Sequence, residues 1–301
     1  MDGVVYTKTN DPMRATLCGY HRKPDALMLN KTNFLVDLTG IKPSQRYNLV
    51  SFEDREITSK FTIGFEIEKT NISRNAIIEH ELIAGYERDA SCGYEAVTHV
   101  LPLLPRGLWR TKVFDMMHKA ERIIDDRYSR SNQRCGGHIT VSYDGMDAAE
   151  LNAYVRRFSG ILFAMFRYRL KNGYCGANRR MQERGLDNYD SIEHLWYWSN
   201  GWHNKYQPAL VKGSLLEFRI PSRVESVKQM MRRYELMYEI CTQAVLNPRG
   251  KQAPFFKKIR PIIKSMYNGD DAKTDGIIAL AKHFQKFIND GIIDESIRRY
   301  I

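Results

Sequence analysis

The sequence predicts an α+β or α/β protein, because strand patterns come singly and are separated by helical stretches and long loops. Three observations carry this. Residues 63–68 alternate apolar and polar as Ile-Gly-Phe-Glu-Ile-Glu. Val113, Met116, Met117, Ala120, Ile123, Ile124 and Tyr128 recur at three- and four-residue intervals. Leu215 to Ile220 is a further strand pattern, stopped by Pro221.

Taken in order, residues 1–57 are polar and turn-rich, punctuated by Asp11-Pro12, Lys23-Pro24 and Lys42-Pro43. They read as an N-terminal extension or small subdomain with short strands such as Phe34 to Leu38. The main domain is expected over 58–301. Its strands are expected at Phe61–Glu68, Gly93–Thr98, Gly137–Ser142 and Leu215–Ile220. A helix is expected over Val113–Tyr128, and another from an Asp147 N-cap to about Leu170. Residues 171–204, rich in Gly, Asn, Arg and aromatics, suit a functional loop region. Its Tyr189, Trp196, Trp198, Trp202 and His203 suit either an acceptor pocket or ordinary burial. Helix is expected again over 224–246 and from about Asp275 to the end.

Composition narrows the function classes. The chain has 301 residues, 43% hydrophobic and 27% charged, enough for a sizeable core. The longest apolar run, Ile161 to Phe166, is far short of the roughly 20 residues a bilayer needs. Residues 1–10 lack the basic and apolar regions of a signal peptide. Five scattered cysteines without a CxxC pair point to a reducing cytoplasm. The formal net charge of +11 favours polyanionic partners. ATP, an acidic peptide and nucleic acid all qualify, but the basic residues are spread along the chain, so nucleic acid is the less favoured.

Side chains two apart on a strand share a face, so Glu66 and Glu68 project together. Such a pair suits a magnesium ion, because hard divalent cations take oxygen ligands; taken alone, an alternating strand of this kind more often turns its polar face to solvent. Glu217 and Arg219 also share a face, which fits a metal-bound polyphosphate or a simple ion pair. His138 and Thr140 share a face after Gly136-Gly137, and Glu95 adds another carboxylate. Two C-x-x-H units, Cys18 to His21 and Cys135 to His138, allow a zinc site, but their spacing matches no recognised finger. There is no P-loop, no G-x-G-x-x-G turn and no nucleophile elbow, so any ATP phosphates must be held by metals and arginines.

These motifs, Gly64-Phe65-Glu66-Ile67-Glu68, Asp89 to Glu95, Cys135 to Ser142 and Leu216-Glu217-Phe218-Arg219, resemble in order those of the putative amidoligase family. Arg167 to Cys175 is similar to that family's Arg-rich segment. The resemblance covers roughly residues 60–222 and points to the carboxylate–amine ligase superfamily of glutamine synthetase and glutamate–cysteine ligase. It implies a curved antiparallel sheet of glutamine-synthetase catalytic type, with helices on its outer face, in a catalytic domain over 58–301. It implies ATP and Mg2+ as cofactors, with small-molecule or peptide carboxylates and amines as substrates. Glu66, Glu68, Glu95 and Glu217 would be magnesium ligands, with Glu66 and Glu95 also catalytic. His138 would touch ATP phosphate or metal. Arg219 would stabilise the transferring phosphoryl group, and Arg169 and Arg179 would hold phosphate or the acceptor carboxylate. Family members often carry a second histidine where this chain has Thr140.

The first expectation is therefore an ATP-dependent carbon–nitrogen ligase. A metal-dependent phosphodiesterase or nuclease, and a binding or structural protein on the same fold, are the alternatives.

Overall fold

The computed structural model describes residues 60–69, 80, 82–89, 93–98, 100–125, 135–143, 145–172, 175, 208–212 and 215–301. For residues 84–89 and 93–94 it describes the backbone alone, as it does for the strands before residue 60. Those strands are β1 (Tyr6–Lys8), β2 (Leu27–Met28), β3 (Phe34–Val36), β4 (Asn48–Phe52) and β5 (Arg55–Ser59). The described residues form an α+β protein whose strands pair antiparallel.

The chain divides into two compact units. The first comprises residues 1–147 and 223–230. Its central strand is β6 (Phe61–Glu68), paired antiparallel with β8 (Gly93–Thr98) on one side and β10 (Ile139–Tyr143) on the other. β7 (Ile83–Asp89) continues the sheet beyond β8, β2 pairs with β7, and β9 (Leu101–Pro102) pairs with the start of β6. Alternation explains why β6 sits at the centre: Phe61, Ile63, Phe65 and Ile67 are 6% exposed or less. The antiparallel pairing is as expected, but the expected curvature is not: the sheet is not strongly curled. The β7–β8 pairing carries a register shift between Ile83 and Gly85, and bulges are a main source of bending.

Helices α1 (Leu108–Lys119) and α2 (Glu121–Ile124) follow the sheet's first strands. The expected helix over 113–128 thus starts a turn earlier and is interrupted at Ala120, while residues past 125 lie outside those described. Its periodic positions Val113, Met116, Met117, Ala120, Ile123 and Ile124 are all buried, as the spacing requires.

The second unit comprises residues 148–222 and 231–301. The single helix expected over 147–170 is instead α3 (Ala148–Val155), a 3-10 turn at Arg156–Phe158, α4 (Gly160–Met165) and a second 3-10 turn at Arg167–Lys171. The break has a local cause. The Ser159 hydroxyl donates to the Val155 carbonyl, and Gly160 donates its N–H to the Gln285 side chain at 2.8 Å. Both contacts replace regular helical bonding. A hairpin of β11 (Ala209–Lys212) and β12 (Leu215–Phe218) packs against α3.

The C-terminal helices are α5 (Val227–Leu246), α6 (Gln252–Met266), α7 (Asp271–Asp290) and α8 (Glu295–Arg298). α6 contains Pro261, yet its apolar face of Phe255, Phe256, Ile259 and Ile263 is buried. That burial outweighs the hydrogen bond the proline removes. α7 is capped by Asp270, which accepts from the Lys273 N–H, and ends at Gly291 in the left-handed conformation (φ 74°). No helix of the described residues is long and apolar enough to cross a membrane.

Candidate metal centre

The site builds up from the pleat of β6. Because Phe65 and Ile67 face the core, Thr62, Gly64, Glu66 and Glu68 must share the opposite face. The register then sets Glu95 of β8 opposite Glu68. On the other side Ile139 pairs with Phe65, and Glu66 donates its N–H to the His138 carbonyl at 3.1 Å. Two strand pairings therefore bring Glu66, Glu68, Glu95 and His138 together.

The alternative of a solvent-facing strand is excluded: all eight residues of β6 are buried, with Glu66 and Glu68 only 2% and 3% exposed. Glu95 is 2% exposed and His138 8%. Ligand atoms of Glu66, Glu68 and Glu95 lie within 4.8 Å of one another. Three carboxylates at such range repel strongly when buried, and a cation or a proton relieves that repulsion.

The surroundings hold these carboxylates in place. His138 Nδ1 is 2.5 Å from Glu66 Oε2 and 3.6 Å from Glu68 Oε1. Gly136 donates its N–H to Glu68 Oε2 at 2.7 Å. A side chain at Gly136 would place its Cβ 2.6 Å from His138 Nε2 and 2.8 Å from Glu68 Oε1, so only glycine fits here. Further along the same face Thr62 and Ser142 are joined through their hydroxyls at 2.5 Å, and Thr140, opposite Gly64, is 2% exposed. An all-oxygen trio of carboxylates suits a hard divalent cation such as magnesium. Cys135 is buried, and its proposed zinc partners Cys18 and His21 lie outside the described residues.

In the second unit Glu217 of β12 is fully buried and forms ion pairs with Lys212 and Arg219. Glu217 and Arg219 thus form an ion pair, with Lys212 as an additional cation. Lys212 carried no motif; its position on β11, two strand residues past Leu210, the partner of Glu217, is what supplies it. Arg169 is 8% exposed in the 3-10 turn, and its carbonyl accepts from the Cys175 thiol. Burial pushes that thiol up, partly opposed by the charges of Arg169 and Arg219. Arg179, Tyr189, Trp196, Trp198, Trp202 and His203 lie outside the described residues.

No family model matches this chain, and no curated protein matches it. The fold and the buried carboxylates are thus the ground on which its function is read.

Proposed function

We propose that the chain is an ATP- and magnesium-dependent carboxylate–amine ligase of the glutamine-synthetase catalytic type, acting in the cytoplasm. It would form an amide or isopeptide bond through an acyl-phosphate, using a small-molecule or peptide carboxylate and amine. The single observation that carries this reading is the convergence of Glu66, Glu68 and Glu95, buried and within 4.8 Å. The order of the motifs around them supports it.

The residues fit the metal. Glu66, Glu68 and Glu95 offer oxygen ligands only, and Gly136 leaves the space beside Glu68 clear. When bound, magnesium neutralises charge on the phosphate oxygens. The chain's own contributions are positional. His138 orients the Glu66 carboxylate, as a partner behind a ligand does. Gly136 holds Glu68 from the backbone. In the second unit Arg219 is assigned to the γ-phosphate, while Arg169 is assigned to phosphate or the acceptor carboxylate. Arginine suits both roles because its planar fork binds oxyanions in a bidentate manner. Phosphoryl transfer needs such positioning and charge neutralisation more than covalent chemistry from the protein.

The test is mass spectrometry of products after incubation with ATP, magnesium and a panel of amino acids and peptides. A new amide formed with release of ADP, and lost in Glu66→Gln and Glu217→Gln, supports the ligase. Full activity in either variant, or magnesium-dependent cleavage of labelled DNA or RNA without ATP, overturns it.

A further inference from the structure

The second unit has a cavity of about 190 Å³ lined by Arg167, Tyr168, Lys171, Arg299 and Tyr300. It brings three cations and two phenols together with no carboxylate in its lining. Other basic residues of the same unit are neutralised locally: Arg298 pairs with Glu295 at 2.9 Å, and Arg260 with Asp271 and Asp275. Among the described residues no acid pairs with Arg167, Lys171 or Arg299.

Arg167 organises the cavity. Its guanidinium lies 4.6 Å from the ring centre of Tyr168 and 5.4 Å from that of Tyr300. The two rings meet edge to face, 5.5 Å apart at 84°. The Arg299 guanidinium lies 4.8 Å from the ring centre of Tyr300. Arg167 donates to the Ala164 carbonyl and to the Tyr168 hydroxyl, while its buried Nε has no acceptor. Tyr300 is 5% exposed, but Tyr168 is 72% exposed, a large ring left open to solvent.

We infer that this cavity binds a nucleotide, its phosphate between Arg167, Lys171 and Arg299 and its base against the exposed ring of Tyr168. Guanidinium pairs favour phosphate through charge-assisted, bidentate hydrogen bonds. The cavity is smaller than the roughly 300–1,000 Å³ of a site that encloses a small molecule, so it admits the phosphate and leaves the base outside. A tyrosine ring open on the surface is a stacking platform for any base. A free mononucleotide and the phosphorylated end of a single strand share this chemistry.

Calorimetric titration of the intact chain at low salt with a chelator, which removes divalent cations, tests the inference. The probes are inorganic phosphate, adenosine monophosphate and a 5′-phosphorylated oligothymidylate. The nucleotide is expected to bind about tenfold more tightly than phosphate, an advantage that Tyr168→Ala removes. Arg299→Gln and the exposed Lys171→Gln are each expected to weaken it about tenfold. If the oligonucleotide binds more tightly than the mononucleotide, the source is a strand; if equally or less tightly, it is the free nucleotide. Absence of saturable binding, equal affinity for phosphate and nucleotide, or affinities unchanged in both Arg299→Gln and Lys171→Gln would overturn the proposal. Lys171 is exposed, so its variant reports on binding even if an arginine variant misfolds.

Discussion

His138 Nδ1 lies 2.5 Å from Glu66 Oε2, and both side chains are buried. The contact ties the residue before β10 to the centre of β6, and so fixes one carboxylate of the trio relative to the other two. A residue that orients a ligand without supplying it changes affinity more than it changes fold. His138→Ala is therefore expected to weaken Mn2+ binding about 10- to 100-fold. Calorimetric titration of the metal, with circular dichroism as the folding control, checks this.

Gly136 tests the same site from the backbone. In Gly136→Ala the new Cβ would press on the His138 ring, held by Glu66, and on the Glu68 carboxylate, held by the Gly136 N–H. Neither can withdraw without breaking a buried hydrogen bond. The variant is expected to lose about 1–3 kcal/mol of stability by urea denaturation, and metal affinity with it.

Gly160 and Gly276 make a contrasting pair. An alanine at Gly160 would place its Cβ 2.5 Å from the Ala281 carbonyl and 2.9 Å from the Gln285 N–H nitrogen, where α4 crosses α7. Backbone atoms cannot yield cheaply, so Gly160→Ala is expected to cost about 1–3 kcal/mol. Gly276, within α7, has open space around it. Gly276→Ala should stabilise by about 0.5–1 kcal/mol, because it removes backbone freedom from the unfolded chain. Paired urea titrations measure both.

Asp294 gives the end of the chain an acid-sensitive contact. Burial acts to raise its carboxyl pKa, but the hydrogen bond and charge of His283 and the backbone N–H groups of Ser296 and Ile297 together lower it. A carboxylate depressed in the folded state stabilises above its unfolded value of about 3.9 and loses that contribution as pH falls through the folded value. Asp294→Ala should therefore cost about 1 kcal/mol at pH 7 through the lost cap of α8. The difference from wild type should shrink steadily below about pH 4, as thermal melts across pH 3–7 would record.

Much of this was legible in the sequence because period and burial coincide. The Phe61–Glu68 alternation placed β6, and the amphipathic spacing from Val113 placed α1 and α2. Glu66 and Glu68 could be set on one face by counting residues, and the motif order suggested Glu95 and His138 beside them. What counting could not supply was burial: an alternating strand with a polar face reads the same whether that face meets water or another layer. β7 escaped notice because Ile83–Asp89 mixes charged residues with Gly85, and β11 because it is only four residues long. The break at Ser159-Gly160 depends on Gln285, more than a hundred residues away, which no local pattern reports. α6 was hidden by Pro254 and Pro261, tolerated in the first turn and by a buried apolar face respectively.

The central claim is that Glu66, Glu68 and Glu95 hold a divalent cation, and Mn2+ titration followed by electron paramagnetic resonance tests it most directly. The account predicts that wild type depletes the free Mn2+ signal stoichiometrically, that magnesium competes, and that Glu68→Gln and Glu95→Gln, folded by circular dichroism, abolish the depletion. Wild-type chain that leaves the free signal unchanged, or binding that survives in both variants, would contradict it.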